Sequence, residues 1–121
     1  MEVVPVGISF MAQKAPAGLA EGTPEWRAAL YISGEDITVD VNMARGGMLL
    51  KLLGYSTARA AGEADPAEFL ARIARARAEK LAWAYETWGE WTVPGYFETR
   101  LDQLEVVAQD ARARGGEVVW A

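Results

Sequence analysis

A chain of 121 residues with 51% hydrophobic and 24% charged side chains has the size and composition of one folded domain with one core. Its formal charge of -5 argues against a general nucleic-acid binder, which needs a concentrated positive surface. With no cysteine and no histidine, the sequence excludes disulfides, thiol nucleophiles, thiolate and imidazole metal sites, and histidine triads or general bases.

The first element predicted is a strand over Glu2 to Phe10, where Val6, Ile8 and Phe10 alternate with Gly7 and Ser9. Pro5 assigns it an edge position or an irregular start, because proline cannot donate to a sheet ladder. Met11 to Pro24 carries no period and reads as a loop or arm over 11–24 that covers something, reaches a partner or moves. Glu25 to Ser33 and Asp36 to Asn42 alternate apolar and polar residues around a Ser-Gly-Glu-Asp turn, the pattern of a hairpin with one face covered by helices. The N-terminus has neither a basic leader nor a long apolar run, and no stretch approaches the ~20 apolar residues of a membrane span. A cytoplasmic location is therefore expected, or the virion for a phage-encoded chain.

Met43 to Tyr55 reads as a short helix from about Ala44, with Met48, Leu49, Leu52 and Leu53 apolar and Arg45 and Lys51 facing solvent. The pair Gly46-Gly47 weakens a helix interior, marking either a loop before a helix that begins near Met48 or a close backbone contact. Gly54 is the expected stop, and Ser56 to Ala64 is a surface connector with single helical turns at most.

Asp65 to Trp91 is the most strongly specified stretch. Asp65 can cap a helix, Pro66 suits its first position, and Glu68 is placed to reach back to the cap amide. Phe69, Ile73, Ala76 and Lys80 follow one line at helical spacing, with Leu70, Ala74, Ala78 or Arg77, Leu81 and Tyr85 beside it. The stretch ends in aromatic residues: Trp83, Tyr85, Trp88, Trp91, Tyr96 and Phe97. Pro94-Gly95 makes a turn, and a last helix over Tyr96 to Ala113 presents Phe97, Leu101, Leu104, Val107, Ala108 and Ala111 to the core. Gly115-Gly116 stops that helix, and Glu117 to Trp120 reads as a terminal strand. The fold class that follows is α+β: a mainly antiparallel sheet of three to four strands against two long helices and one shorter one, in a single domain spanning 1–121.

Four groups of residues bear on chemistry. Asp36, Asp40 and Asn42 share one strand face and could orient a polar ligand or a hard cation, although solvation, with Asn42 capping the next helix, accounts for them better. Glu86 and Glu90 stand beside Trp88 and Trp91, a carboxylate pair among indoles of the kind a glycan site uses; core or interface tryptophans with solvated glutamates account for the same residues. Arg72, Arg75, Arg77 and Lys80 are the densest basic group; Arg75 has Glu79 four residues on, and a solvated helix face explains them more simply than anion binding. Gly46-Gly47 follows a strand, but neither phosphate-loop spacing is present. No residue is assigned a catalytic or metal-binding role and no cofactor is expected.

The runs ITVDVNMARGGMLLKLLG and TWGEWTVPGYFETRLDQLEVVAQDARARGGEVVW resemble the ends of a family of small uncharacterised proteins from actinobacteria and their phages. Asn42 matches the asparagine that precedes a helix in that family, and Trp88, Gly89, Glu90 and Trp91 match its WG-acidic-aromatic element. The chain departs from it in Trp91, where tyrosine is usual, in the twin glycine after Met43, in lacking an asparagine before Trp88, and in about 30 additional N-terminal residues. The likeness covers about half the chain and implies an intact one-domain architecture rather than an activity.

The function expected on these grounds is a non-enzymatic accessory, structural or interaction protein, phage-related and with a protein partner or self-association. Its contact surface is the aromatic set Trp83, Trp88, Trp91, Tyr96 and Phe97. The alternatives are a polar-ligand or glycan-binding module or hydrolase using Asp40, Asn42, Glu86 and Glu90, and a nucleic-acid binder in which Arg72 to Lys80 join Arg45, Lys51 and Arg59.

Overall fold

Alternation of Ile8 and Phe10 with smaller or polar neighbours builds the strand around which the sheet is assembled. The computed structural model describes residues 7–13, 38–57 and 61–121. Within them β1 (Gly7–Gln13) pairs with β2 (Thr38–Asn42) on one side and β4 (Glu117–Trp120) on the other, and β4 pairs with β3 (Gly62–Ala64). All three pairings are antiparallel, in the order β2-β1-β4-β3. One face of the sheet presents Ile8, Phe10, Val39, Val41, Val118 and Trp120 to the helices, and all six are buried. The fold is thus α+β, with one antiparallel sheet on three helices among the described residues.

Three expectations about strands change. The first strand lies between β2 and β4, so the edge alternative does not hold, and Pro5 itself lies outside the described residues. It also runs to Gln13, three residues into the stretch expected to be loop, because Met11, Ala12 and Gln13 pair with Val119, Val118 and Glu117. The third change is β3, inside the segment read as a connector. Nothing in Gly-Glu-Ala favours a strand; pairing with β4 imposes it, and Gly62 is suited because a Cβ there would lie 2.5 Å from Cζ2 of Trp120. The first strand of the expected hairpin, Glu25 to Ser33, and positions 14–24 of the arm lie outside the described residues.

The helix α1 (Met43–Leu52) begins directly after β2, and Oδ1 of Asn42 accepts the Arg45 N–H at 2.8 Å, the capping role expected of it. The glycine pair does not interrupt it. Gly46 is where α1 crosses β1: a Cβ there would stand 2.6 Å from Cδ1 and 2.9 Å from Cβ of Ile8, so the close-contact alternative is the one observed. Gly54 (φ 79°) and Gly115 (φ 67°) follow the ends of their helices in the left-handed conformation that glycine adopts without strain.

The long helix α2 comprises Pro66–Arg75, a π-helical turn at Ala76–Lys80, and Leu81–Trp88, followed by a 3₁₀ turn at Gly89–Trp91. Asp65 caps it by accepting the Glu68 N–H at 3.2 Å. The Glu68 carboxylate, expected to reach back to the cap, pairs with Arg72 at 2.9 Å instead. The π turn is the main departure from the unbroken helix expected. One extra residue in a turn rotates everything downstream by roughly 100° relative to a regular helix. Phe69 and Ile73 before it and Ala76 at its first position are buried; after it Ala84 is buried and the rotation brings Leu81, Tyr85 and Trp88 against the core.

The helix α3 (Tyr96–Arg114) buries the six residues expected of it, Phe97, Leu101, Leu104, Val107, Ala108 and Ala111. Burial of large side chains such as Phe10, Phe69 and Phe97 contributes about 1.5–3 kcal/mol each. Arg77, carried by the π turn, ties the two long helices by ion pairs to Asp102 at 2.6 Å and Glu105 at 2.8 Å, whose hydrogen bonds raise its pKa. None of the helices within the described residues is long and apolar enough to cross a membrane.

Candidate functional site

The end of β2, the first turns of α1 and the end of α2 meet in one place. Asn42, Ala44, Arg45, Met48, Trp88 and Trp91 line a cleft there of ≈ 280 Å³. Three local facts of sequence create it. Asn42 ends β2 and caps α1, which puts Ala44, Arg45 and Met48 on the turns that follow. The rotation introduced at Ala76–Lys80 sets Trp88 against the core, where its ring lies 6.0 Å from that of Phe97. The 3₁₀ turn at Gly89–Trp91 then brings the chain back toward α1, and Nη2 of Arg45 donates to the Trp91 carbonyl at 2.7 Å.

Arg45 is the central side chain and the one whose role the sequence did not disclose. It was expected to face solvent. Instead it is half-buried, with its guanidinium 4.8 Å from the Tyr96 ring centre, and its Nη1 is buried with no hydrogen-bond acceptor among the described residues. Arg100 approaches the same ring at 5.4 Å. The signal available in sequence was a basic residue in the first turn of a helix, where the dipole favours an acid.

The aromatic residues expected to act together divide by burial. Phe97 is core, packed edge-on to Tyr85 at 5.0 Å. Tyr85 also completes the start of α3: its hydroxyl accepts the Phe97 N–H at 3.3 Å and donates to Glu98 at 2.8 Å. Burial first, and then the bond to Glu98, hold the Tyr85 phenol above its usual pKa. Trp88 is half-buried, Trp83 stacks edge-on against it at 5.0 Å while remaining 45% exposed, and Trp91 is 65% exposed. Met43 and Val93, next to the cleft in sequence, are 44% and 67% exposed.

The four polar candidates do not converge. Asn42 shares the cleft with Trp88 and Trp91, but Asp40 is hydrogen-bonded by Ser9 across the β1–β2 ladder and lines a separate hollow of ≈ 240 Å³ with Arg100, Gln103 and Val106. Glu86 and Glu90 are exposed and contribute to neither lining.

The basic group of α2 also divides. Arg77 is turned to α3, while Arg72, Arg75 and Lys80 line a hollow of ≈ 410 Å³ beside the end of α1. Arg72 is saturated there, donating to Glu68 and to the carbonyls of Leu53 and Gly54 at 3.0 and 2.9 Å, and Arg75 pairs with Glu79 at 3.2 Å. These partners make the hollow a helix-capping device. Its position is separate from that of Arg45, and Arg59 lies outside the described residues. No group of three or more acidic side chains among the described residues is placed to hold a metal ion. No protein-family model, curated protein or solved structure matches this chain.

Proposed function

We propose that this chain is a protein-interaction module whose contact surface is the aromatic end of α2 together with the first turns of α1. The observation that carries this reading is Trp91, two-thirds exposed beside the half-buried Trp88 in a cleft that Arg45 and Met48 also line. Large aromatic and arginine side chains around a concave apolar patch are the composition that concentrates binding energy at protein interfaces. Met43 and Val93, next to lining residues in sequence, are also exposed, and uncovered apolar surface of this kind costs solubility unless a partner covers it. The separation of Asp40, Glu86 and Glu90 from the cleft supports a binding role over hydrolysis. An accessory protein of phage or actinobacterial origin fits both this surface and the resemblance carried by Asn42 and Trp88 to Trp91.

The test is site-directed photocrosslinking in the source cell. A benzoylphenylalanine at position 91 is expected to trap a polypeptide, either a partner or a second copy; one at position 112, exposed on α3, is not. Equal trapping at both positions, or none at 91, would sink the proposal. A second reading, a small-ligand site, is favoured by the sharing of Asn42 with two tryptophans in one cleft. Saturable tryptophan quenching by a simple saccharide would favour it.

A further inference from the structure

The cleft beside Arg45 has a chemical bias. Arg72, Arg75 and Arg77 are each matched by a carboxylate, at 2.9, 3.2 and 2.6 Å. Arg45 has no ion pair among the described residues: its neighbours are a backbone carbonyl and the face of Tyr96, and Nη1 has no acceptor. A half-buried cation so placed is stabilised by any anion that reaches it, and the chain does not supply one from Asp40, Glu86 or Glu90.

The second polar side chain of the lining has the same bias. Oδ1 of Asn42 already accepts the Arg45 N–H, which leaves the carboxamide its two N–H donors and one lone pair for a ligand. Donors therefore outnumber acceptors on Arg45 and Asn42, and no acidic residue among the described residues lines the cleft. The remaining lining, Ala44, Met48, Trp88 and Trp91, presents aliphatic, thioether and indole surface. Complementarity thus requires an acceptor that carries negative charge, held next to an apolar group. A cleft of ≈ 280 Å³ is slightly below the range of pockets that enclose a whole small ligand, about 300–1,000 Å³, and suits one or two anchoring side chains of a longer chain.

We infer that this cleft docks a segment of a partner protein in which an aspartate or glutamate side chain stands beside an aliphatic or aromatic one, the carboxylate pairing with Arg45 and the apolar group lying against Trp88, Trp91 and Met48. The inference rests on the interaction-module reading and specifies its partner. It assigns Arg45 the charge recognition and Trp91 the apolar anchor.

Tryptophan fluorescence and amide NMR titrations with three probes test it: acetyl-Gly-Leu-Glu-Phe-Gly-amide, the same peptide with glutamine for glutamate, and acetyl-leucine. The glutamate peptide is expected to bind saturably and shift the resonances of Asn42, Arg45 and the Trp88 and Trp91 indoles, with affinity falling about tenfold or more for the glutamine peptide. Arg45→Met is expected to abolish that preference. Because Arg45 also packs on Tyr96, Ala44→Glu is the companion variant: residue 44 is exposed in the first turn of α1, where a negative charge favours the helix. It should leave the melting temperature unchanged or higher while weakening the glutamate peptide about tenfold. Equal affinity for both peptides, no saturable binding, or unchanged binding by Ala44→Glu would overturn the inference. Acetyl-leucine binding as tightly as the peptide would also overturn it, marking a site for small carboxylates. If the peptides fail while position 91 still crosslinks to a polypeptide, the acidic-apolar specificity is wrong and the interaction reading stands. Loss of both removes the interaction reading as well.

Discussion

The seating of α1 on β1 sets where Asn42 and Arg45 stand, and Gly46 and Gly47 offer a paired test of it. Alanine is favoured over glycine by about 1 kcal/mol at either position of the helix by propensity alone. A Cβ at 47 meets nothing within 4 Å, so Gly47→Ala is expected to stabilise the protein by roughly that amount. At 46 the same atom lies 2.6 Å from Cδ1 and 2.9 Å from both Cβ and Cγ1 of Ile8, which is 2% exposed. Cβ is anchored to the β1 backbone, so no rotamer of Ile8 relieves that contact, and overpacking of this kind costs about 1–3 kcal/mol. The net expectation for Gly46→Ala is a loss of about 1 kcal/mol, seen as a melting temperature roughly 4 °C lower for a domain of this size. Urea denaturation of the two variants and of Gly46→Ala combined with Ile8→Val measures this directly. The double variant should recover only part of the loss, because valine removes Cδ1 and keeps Cβ and Cγ1. Gly46→Ala as stable as Gly47→Ala would refute the seating of α1 against Ile8.

Two other perturbations follow from the same structure. Glu117, on the outer sheet face beside Glu63, has its pKa raised above 4.5 chiefly by a hydrogen bond to Glu63 and then by that residue's charge. A raised folded-state value means stability that is present below pH 4.5 and is lost as pH rises through the folded value, so Glu117→Gln should flatten thermal stability between pH 4.5 and 7 and raise it at pH 7. An unchanged pH slope would contradict the pairing. Tyr55 stacks on Phe69 at 5.8 Å and lies 5.1 Å from Trp120, with Arg72 over its ring at 4.2 Å; its hydroxyl is buried without a partner among the described residues and burial pushes its pKa up to about 12. Tyr55→Phe should gain about 1 kcal/mol in urea denaturation by removing an unsatisfied group, and a loss of that size would show that the hydroxyl contributes.

The features legible in the sequence were those that a residue's near neighbours decide. Asp65 and Asn42 act as caps because capping needs only an N–H three residues away. Phe97 through Ala111 are buried together because period alone places them on one face of a helix. The alternation of Ile8, Phe10, Val39 and Val41 was enough to give one covered face to an antiparallel sheet.

What the tertiary structure decided was how distant segments meet. β3 is a strand because β4 and the indole of Trp120 lie beside Gly62, not because Gly-Glu-Ala prefers that state. Within the long helix, the π turn at Ala76–Lys80 breaks the period that placed Lys80 on the buried line, and it brings Trp88 into register with the core. The candidate site divides the same way. Asn42, Trp88 and Trp91 were named from composition and spacing, but Arg45 joined them only because the Trp91 carbonyl and the Tyr96 ring come to it from positions about fifty residues away. Local chemistry determined which elements form and which of their faces is apolar. The meeting of a cation, an amide and two indoles in one cleft depended on long-range packing, whose energy is shared among residues that no single stretch of sequence contains.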